Sequence, residues 1–222
     1  MARRPIQTIA ICAALLAAAG CSILPGGKDR ASPRSGTAPV AVNAGARQCL
    51  SRLGSTQASF VPLSDKYYGA GCSTLSSVSL SRLQGDAGAF DLANLGPVAC
   101  PLAETFAGWA RYGVDRAARQ ILGSPLVRIE TMGSYSCRNV AGSGRLSAHA
   151  RAEAIDVSAF VLADGRRITV TSDWNGAAAD RKFLRVIHDS ACKRFGTVLG
   201  PNYNAAHHNH FHLELGDGRF CR

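Results

Sequence analysis

The sequence has no C-x-x-C pair, no internal repeat and no Ser-Pro-rich repeat. Without a C-x-x-C pair, its cysteines are not spaced as in the common zinc-thiolate and thioredoxin-like redox sites. Without Ser-Pro repeats, the composition excludes an extended structural protein of the plant-wall kind. An aromatic-rich or Gly-rich nucleic-acid motif is also missing, which argues against a nucleic-acid-binding module.

A long hydrophobic run is absent as well, because the apolar stretch over residues 9–19 is too short for a conventional membrane-spanning helix. Arg3 and Arg4 precede this stretch, and small residues lead from it to Cys21. The layout predicts a bacterial signal peptide over residues 1–20. Residues 19–21 resemble a lipobox, in which Cys21 becomes the lipidated first residue, although Ala18 stands where leucine is usual. The alternative is a plain secreted protein in which Cys21 is incidental.

The segment that follows the signal peptide differs in composition from the rest of the chain. Residues 21–47 are rich in Pro, Gly, Ser and Ala and show no apolar periodicity, which predicts a flexible tether. Residues 48–222 are long enough for one domain with a hydrophobic core. Lipidation at Cys21 would hold this domain on the outer membrane, facing the periplasm. We therefore expect a cell-envelope protein that meets the membrane through a lipid anchor.

The chain is basic, with 25 Lys and Arg against 15 Asp and Glu and a formal net charge of +10. Removal of a signal peptide that contains Arg3 and Arg4 but no acidic residue leaves +8. A basic surface suits nucleic acid, anionic lipid or an anionic wall polymer. Export argues against nucleic acid as the partner. The oligomeric state is left open by the sequence.

An even number of cysteines in an exported chain indicates disulfide bonds. Six cysteines follow Cys21, namely Cys49, Cys72, Cys100, Cys137, Cys192 and Cys221. Fifteen pairings of six cysteines are possible, and the sequence does not choose among them. If each bond closes a local or terminal segment of the chain, the favoured pairs are Cys49–Cys72, Cys100–Cys137 and Cys192–Cys221.

The apolar periodicity predicts one helix or a helix pair over residues 101–122, with Gly113 as a candidate break, and a second long helix over residues 179–195, with His188 on its exposed side. Strands are predicted over 126–131 and 209–215. The β-rich runs 155–162 and 167–172 flank Asp164-Gly165, which predicts a hairpin. This order favours an α+β class in which helices pack on a small antiparallel sheet.

Five of the six histidines lie in two places, at His149 and among residues 207–212. In a C-terminal strand, side chains alternate, so His210 and His212 would project from the same face. If the strand that contains Asp156 is its neighbour, His149, Asp156 and His212 form a set of two imidazoles and one carboxylate. Such a set suits one catalytic Zn²⁺ ion, because three protein ligands leave a fourth position for water and nitrogen-rich ligation favours zinc.

These motifs resemble known families. Ser147, His149, Ala154 and Asp156 match the Ser-x-His-x-x-Gly-x-Ala-x-Asp motif of the D-Ala-D-Ala metallopeptidases. The spacing of the C-terminal histidines is similar to that of the penicillin-insensitive murein endopeptidase. Residues 49–221 as a whole resemble the bacterial extensin-like C-terminal domain family, through segments 135–138, 147–156 and 200–213. The resemblance implies a hedgehog/D,D-peptidase-like fold.

The resemblance also implies the roles of single residues. His149, Asp156 and His212 would bind zinc, His210 would be the general base and His207 would position substrate or water. Arg138 would meet the developing oxyanion, with Arg145 as the rival for that contact. Substrate binding is assigned to Ser147, Arg145 and Tyr203. The implied function is a zinc-dependent peptidoglycan D,D-peptidase, acting as a carboxypeptidase or as a cross-link endopeptidase.

Two residues depart from the related patterns. Ala152 replaces the motif glycine, at a turn that would need an unusual backbone conformation. Asn209 stands where the carboxypeptidase branch has a catalytic glutamate, so the expected proton acceptor shifts to His210. The departures keep an alternative open, in which the protein contains zinc and binds the wall but does not hydrolyse it.

Overall fold

The computed structural model describes residues 43–222, so the predicted signal peptide, the predicted lipidation site Cys21 and most of the predicted tether lie outside the described residues. None of the helices among residues 43–222 has the length and hydrophobicity that a membrane-spanning helix requires. The first helix begins at Ala44, where the Asn43 side chain accepts a hydrogen bond from the Ala46 N–H at 2.7 Å. The last four residues of the predicted tether are therefore helical.

The described part contains four α-helices and twelve strands. The helices are α1 (Ala44–Ser55), α2 (Cys100–Trp109), α3 (Val170–Asp173) and α4 (Ala178–Cys192). The strands are β1 (Ser59–Pro62), β2 (Lys66–Gly69), β3 (Cys72–Thr74), β4 (Ser77–Gln84), β5 (Ala89–Ala93), β6 (Pro97–Ala99), β7 (Leu126–Gly133), β8 (Ala154–Leu162), β9 (Arg167–Thr169), β10 (Thr197–Leu199), β11 (Phe211–Glu214) and β12 (Phe220–Cys221). The expected α+β class is confirmed.

One mixed sheet contains ten of these strands, in the order β1-β4-β5-β7-β8-β11-β10-β12, with β6 beside β4 and β9 beside β8. Strands β2 and β3 form a separate hairpin. Most neighbours are antiparallel, but β5–β7 and β10–β12 are parallel. The prediction of a small antiparallel sheet is therefore wrong in size and in orientation. Short strands before residue 100 enlarge the sheet, and the helical crossover between β5 and β7 makes that pair parallel.

The predicted helix over residues 101–122 is present without a break. Helix α2 continues into π-helical turns at Ala110–Asp115 and Ala118–Leu122, and the segment ends at Gly123 in the left-handed conformation. A Cβ atom added at Gly113 would lie 2.5 Å from Ser190 Oγ of α4. Gly113 therefore allows close helix packing and does not break the helix, so of the two alternatives the single helix is present.

Three predicted boundaries are corrected by the structure. The second run of the hairpin leaves the sheet after Thr169 and turns into α3, while α4 ends at Cys192. Strand β11 covers only four residues, and β12 follows it.

The prediction that His188 is exposed is wrong. His188 is buried, since its ring packs against Trp174 and Phe211. Aromatic side chains outside α4 decide this burial, so the pattern within the helix does not reveal it.

Strand β8 lies between β7 and β11 in the middle of the sheet. Its pairing with β7 skips Ser158, because Glu130 faces Ala159 and the next residue of β7 faces Val157. An unpaired residue of this kind shifts the side-chain alternation of a strand. Val157 and Phe160 therefore both belong to the hydrophobic core. Asp156 is left on the opposite face from Val157.

Three disulfide bonds are present in the described part: Cys49–Cys100, Cys72–Cys137 and Cys192–Cys221. The preference for Cys192–Cys221 is confirmed, and the pairings Cys49–Cys72 and Cys100–Cys137 are wrong. Helix α1 packs against α2, so Cys49 meets the first residue of α2. Strand β3 meets the segment that leads to Arg138. Spatial neighbours far apart in sequence, rather than local loops, set these two bonds.

Replacing Cys72 and Cys137 together by Ser should lower the free energy of unfolding by about 2–5 kcal/mol, because the bond constrains the unfolded chain. This bond spans 65 residues, against 29 for Cys192–Cys221. Chemical denaturation of the oxidised protein measures the loss. The double variant Cys192→Ser with Cys221→Ser is the matched control and should lose less. A larger loss in the control would contradict the chain-entropy explanation.

Candidate metal centre and its cleft

His149 lies in a short 3-10 turn, Ala148–Arg151. Ser147 caps this turn, since its Oγ accepts a hydrogen bond from the His149 N–H at 3.3 Å. The turn ends at Ala152, which has φ 56° and ψ 29° and a fully buried side chain. The expected unusual backbone conformation is thus confirmed. Alanine adopts the left-handed region at a cost of about 1 kcal/mol, which the packed turn sustains.

Asp156 and His212 face each other across neighbouring strands, because β8 and β11 pair in an antiparallel register that sets His212 opposite Asp156. Along β11, Phe211 and Leu213 belong to the hydrophobic core. His212 and Glu214 project from the other face and line a cleft. The alternation predicted for His212 is therefore present, and the condition that the strand of Asp156 neighbours the C-terminal strand is met, although His210 lies just before β11.

The side chains of His149, Asp156 and His212 converge on one point. His149 Nε2 lies 3.1 Å from His212 Nδ1 and 3.1 Å from Asp156 Oδ2. His212 Nδ1 lies 2.8 Å from Asp156 Oδ1. All three residues are buried. Two nitrogens and a carboxylate therefore surround a single small space.

The outer hydrogen bonds of the two imidazoles decide which ring nitrogens face this space. His149 donates from Nδ1–H to the Ser134 carbonyl at 2.8 Å, and His212 donates from Nε2–H to Glu214 Oε1 at 2.6 Å. When both rings are neutral, His149 Nε2 and His212 Nδ1 carry lone pairs. Two lone pairs and a carboxylate at such distances repel one another unless a cation lies between them. A proton or a metal ion is thus required.

The distances fit a tetrahedral metal ion. Donor atoms about 2.0–2.1 Å from a zinc ion are about 3.3–3.4 Å apart in tetrahedral geometry. The observed separations of 2.8–3.1 Å need to widen by only a few tenths of an ångström. Both imidazoles also have outer hydrogen-bond partners of the kind that orient metal-binding histidines. His149, Asp156 and His212 therefore fit the zinc site that the sequence predicts.

The electrostatics of the cluster also favour a cation between the three side chains. Burial opposes ionisation of Asp156, yet its hydrogen bonds with His149 and His212 hold the pKa of that carboxyl well below its usual range. Burial would lower the pKa of His212, but the hydrogen bonds to Asp156 and Glu214 outweigh burial and raise that pKa to about 9. Without metal, the cluster keeps an extra proton near neutral pH.

A cleft of about 460 Å³ opens beside this cluster. It brings together the other residues predicted for the site: Arg138, Arg145, Ser147, Tyr203, His207 and His210. Apolar side chains, among them Leu199 and Phe220, complete its wall. His208 is exposed and hydrogen-bonded to the Ala205 carbonyl at 2.7 Å. The structure therefore assembles the predicted residues around one cleft, and their individual roles stay predictions.

Two further histidines are oriented by asparagines. His210 Nδ1 lies 2.8 Å from Asn209 Oδ1, and His207 Nδ1 lies 2.7 Å from Asn204 Oδ1. In each pair the amide oxygen accepts from Nδ1–H, so Nε2 keeps the lone pair. Burial lowers the pKa of His210 and lowers that of His207 to about 4. Both rings are therefore neutral at pH 7.

Another group in the described part, His188 with Cys192 and Cys221, also has donor atoms close together. The two sulfur atoms form a disulfide bond, so neither is a thiolate. This group does not hold a metal ion in the oxidised protein.

Comparison with known protein families identifies the family of this chain. The family described as "Extensin-like protein C-terminus" matches residues 47–222, which is most of the chain. The chain belongs to this family. Neither a curated protein nor a solved structure matches it significantly. The expected extensin-like resemblance is confirmed, while kinship with the D-Ala-D-Ala metallopeptidases stays a prediction.

Sequence analysis of this extensin-like domain missed three residues of the site. Glu214 orients His212, Ser134 orients His149 through its carbonyl, and Asn204 orients His207. A signal for Glu214 was available, because it lies two residues after His212 on the same face of β11. The other two contacts depend on loop geometry that no spacing rule provides.

Replacing Glu214 by Gln should weaken Zn²⁺ affinity by about 10–100-fold, because loss of an outer carboxylate makes the ligating imidazole less basic and less well oriented. Competition with a chromophoric chelator measures the affinity. Glu153→Gln is the matched control, since Glu153 is exposed and pairs with Arg151 at 2.8 Å, away from the cluster. Equal affinities of the two variants would show that Glu214 does not support the metal ligand.

The metal-free extensin-like domain should lose stability as the pH rises. The pKa of His212 is raised from 6.5 to about 9, so its proton stabilises the fold fully below pH 6.5, and this contribution is lost as the pH passes 9. Urea denaturation of chelator-treated protein should show a fall of up to about 3 kcal/mol over this window. The zinc-loaded protein is the control and should not show this fall, because zinc replaces the proton. A flat profile without metal would contradict a charged His212.

Proposed function

We propose that this extensin-like domain is a zinc-dependent peptidase that cleaves the peptide part of peptidoglycan, on a hedgehog/D,D-peptidase-like fold. One observation carries the proposal. Two imidazole lone pairs and the Asp156 carboxylate converge within 2.8–3.1 Å at the edge of a cleft. Three protein donors on zinc leave one position for water or substrate, which is typical of catalytic rather than structural sites.

Bound zinc would supply a Lewis acid for the scissile carbonyl and lower the pKa of water to near 7. The residues of the chain would do the remaining work. His149, Asp156 and His212 hold the ion, and the Ser134 carbonyl and Glu214 fix the two ring orientations. Because these ligands are buried, the centre is preorganised before substrate arrives.

His210 is the proposed proton acceptor. Its Nε2 lies 3.5 Å from Asp156 Oδ1, next to the metal ligands, and its Nδ1–H is held by Asn209. The ring is neutral at pH 7 because burial lowers its pKa. A general base at this position can take the proton of the attacking water and return it to the leaving amine, which typically contributes about 10²–10⁴-fold. Asn209 thus orients the base instead of acting as one.

The cationic part of the cleft suits a substrate that carries carboxylates. Arg138 and Arg145 both line the cleft. A guanidinium stays charged at all relevant pH values and holds an oxyanion or a carboxylate well. Arg138 is proposed for the developing oxyanion, and Arg145 and Ser147 for substrate binding. Tyr203 packs edge-on against His207 and Phe220 and would complete the substrate-binding wall.

The cell envelope is the proposed setting for this activity. The signal-peptide pattern, the lipobox-like Cys21 and the net positive charge favour a lipid-anchored protein that faces an anionic wall. Peptidoglycan peptides carry the carboxylates that the two arginines would meet. Both a terminal D-Ala and a D-amino-acid cross-link fall within the proposed substrate class.

Purified protein incubated with cross-linked muropeptides should release D-Ala or uncross-linked peptides when zinc is present, and chelator should abolish the release. Mass spectrometry of the products names the bond that is cleaved. His210→Ala should lower the rate by about 10²-fold or more while zinc stays bound. The control His208→Ala changes an exposed ring and should keep the rate.

A second candidate is a zinc-containing protein that binds the wall without hydrolysis. Asn209 favours it, because an amide stands where a catalytic carboxylate is expected and cannot accept a proton. Unchanged muropeptides together with one equivalent of bound zinc would overturn the peptidase proposal in favour of this candidate.

A further inference from the structure

A second group of imidazoles lies directly beside the proposed zinc centre. His207, His210 and His212 each offer a ring nitrogen, and the three nitrogens lie within 4.8 Å of one another. His149 and Asp156 belong to a different group, which overlaps this one only at His212. His207 and His210 therefore are not further ligands of the first centre. They lie to one side of it and provide additional nitrogen donors there.

The lone pairs of His207 and His210 are on their Nε2 atoms. Asn204 and Asn209 accept hydrogen bonds from the two Nδ1–H groups at 2.7 and 2.8 Å. The rings are 5.1 Å apart between centroids, and both line the open cleft. Two neutral imidazole donors are thus held near each other, with access for an ion from solvent.

An anionic oxygen lies between the two groups. Asp156 Oδ1 lies 2.8 Å from His212 Nδ1 of the first group and 3.5 Å from His210 Nε2 of the second, while Asp156 Oδ2 faces His149 Nε2 at 3.1 Å. A carboxylate with an oxygen between two groups of donor atoms can bridge two ions, as in two-metal sites where the ions are about 3.5–4 Å apart. Asp156 could therefore be a ligand shared by two ions, while His207 and His210 would bind only the second ion.

We propose that His207 and His210 form a second, weaker cation site beside the first, with Asp156 as the shared oxygen ligand. Imidazole donors suit Zn²⁺, Cu²⁺ and Ni²⁺ rather than Mg²⁺ or Ca²⁺. The second ion has only two ligands that are wholly its own and is repelled by the first ion, so it binds less tightly. The inference rests on the zinc centre of the proposed function, because the first ion fixes Asp156 and His212.

Occupation of this second site would inhibit the proposed peptidase. The lone pair of His210 Nε2 would be taken up by the ion, so the ring could no longer accept a proton from water. Excess zinc would thereby switch the site off without displacing the first ion. The protein would respond to the zinc concentration of its compartment in two opposite ways.

Calorimetric titration of the chelator-stripped full chain with Zn²⁺ at pH 7 tests the inference. Wild-type protein should bind two equivalents, the second at least about tenfold more weakly, which corresponds to about 1.4 kcal/mol. His207→Ala should lose the second equivalent and keep the first. His208→Ala is the matched control, since this neighbouring ring is exposed and outside both donor groups, and it should keep both. His207→Gln repeats the test with a side chain of more similar size.

The possible failures are distinguishable. A single equivalent in the wild type, or a second equivalent that persists in both His207 variants, overturns the second site and leaves the first zinc centre intact. A second equivalent lost in His208→Ala but retained in His207→Ala also overturns it. Failure to bind any zinc would overturn the proposed function together with this inference.

Discussion

The site depends on one pairing, that of strand β8 with strand β11. Their antiparallel register sets Asp156 opposite His212 and brings the carboxylate within 2.8 Å of the ring nitrogen. On the buried side of the same strands, Val157 and Phe211 belong to the core. Because a slip by one residue would exchange the two faces, the hydrophobic core and the donor cluster enforce the same register. The register that forms the core therefore also assembles the site.

Much of this centre follows from the sequence, because it depends on the alternation of a strand and on short-range spacing. The face of His212 could be predicted from strand geometry, and the clustering of histidines indicated the candidate donors. The left-handed turn at Ala152 could be predicted from the glycine that related motifs have there. Each of these features is local, so few alternatives compete with it.

Features that depend on contacts between distant segments were not predictable in this way. The pairing of Cys49 with Cys100 is set by the packing of α1 on α2, which no local rule encodes. His188 has the position of a surface residue on its helix but is covered by Trp174. The ten-stranded sheet includes short strands before residue 100 whose composition does not distinguish them from loops. Tertiary packing overrides local pattern in all three cases.

The charge balance of the cluster explains why a divalent ion suits it better than a proton. Asp156 contributes one negative charge at the centre, and Glu214 contributes another through the outer nitrogen of His212. Buried charges are tolerated when they are compensated locally. One proton shared by the imidazoles leaves the cluster with a net charge of about −1, whereas one divalent ion makes it neutral. A second divalent ion would make the same cluster strongly positive unless hydroxide accompanied it. The two carboxylates would therefore set both the preference for the proposed first ion and the weakness of the proposed second one.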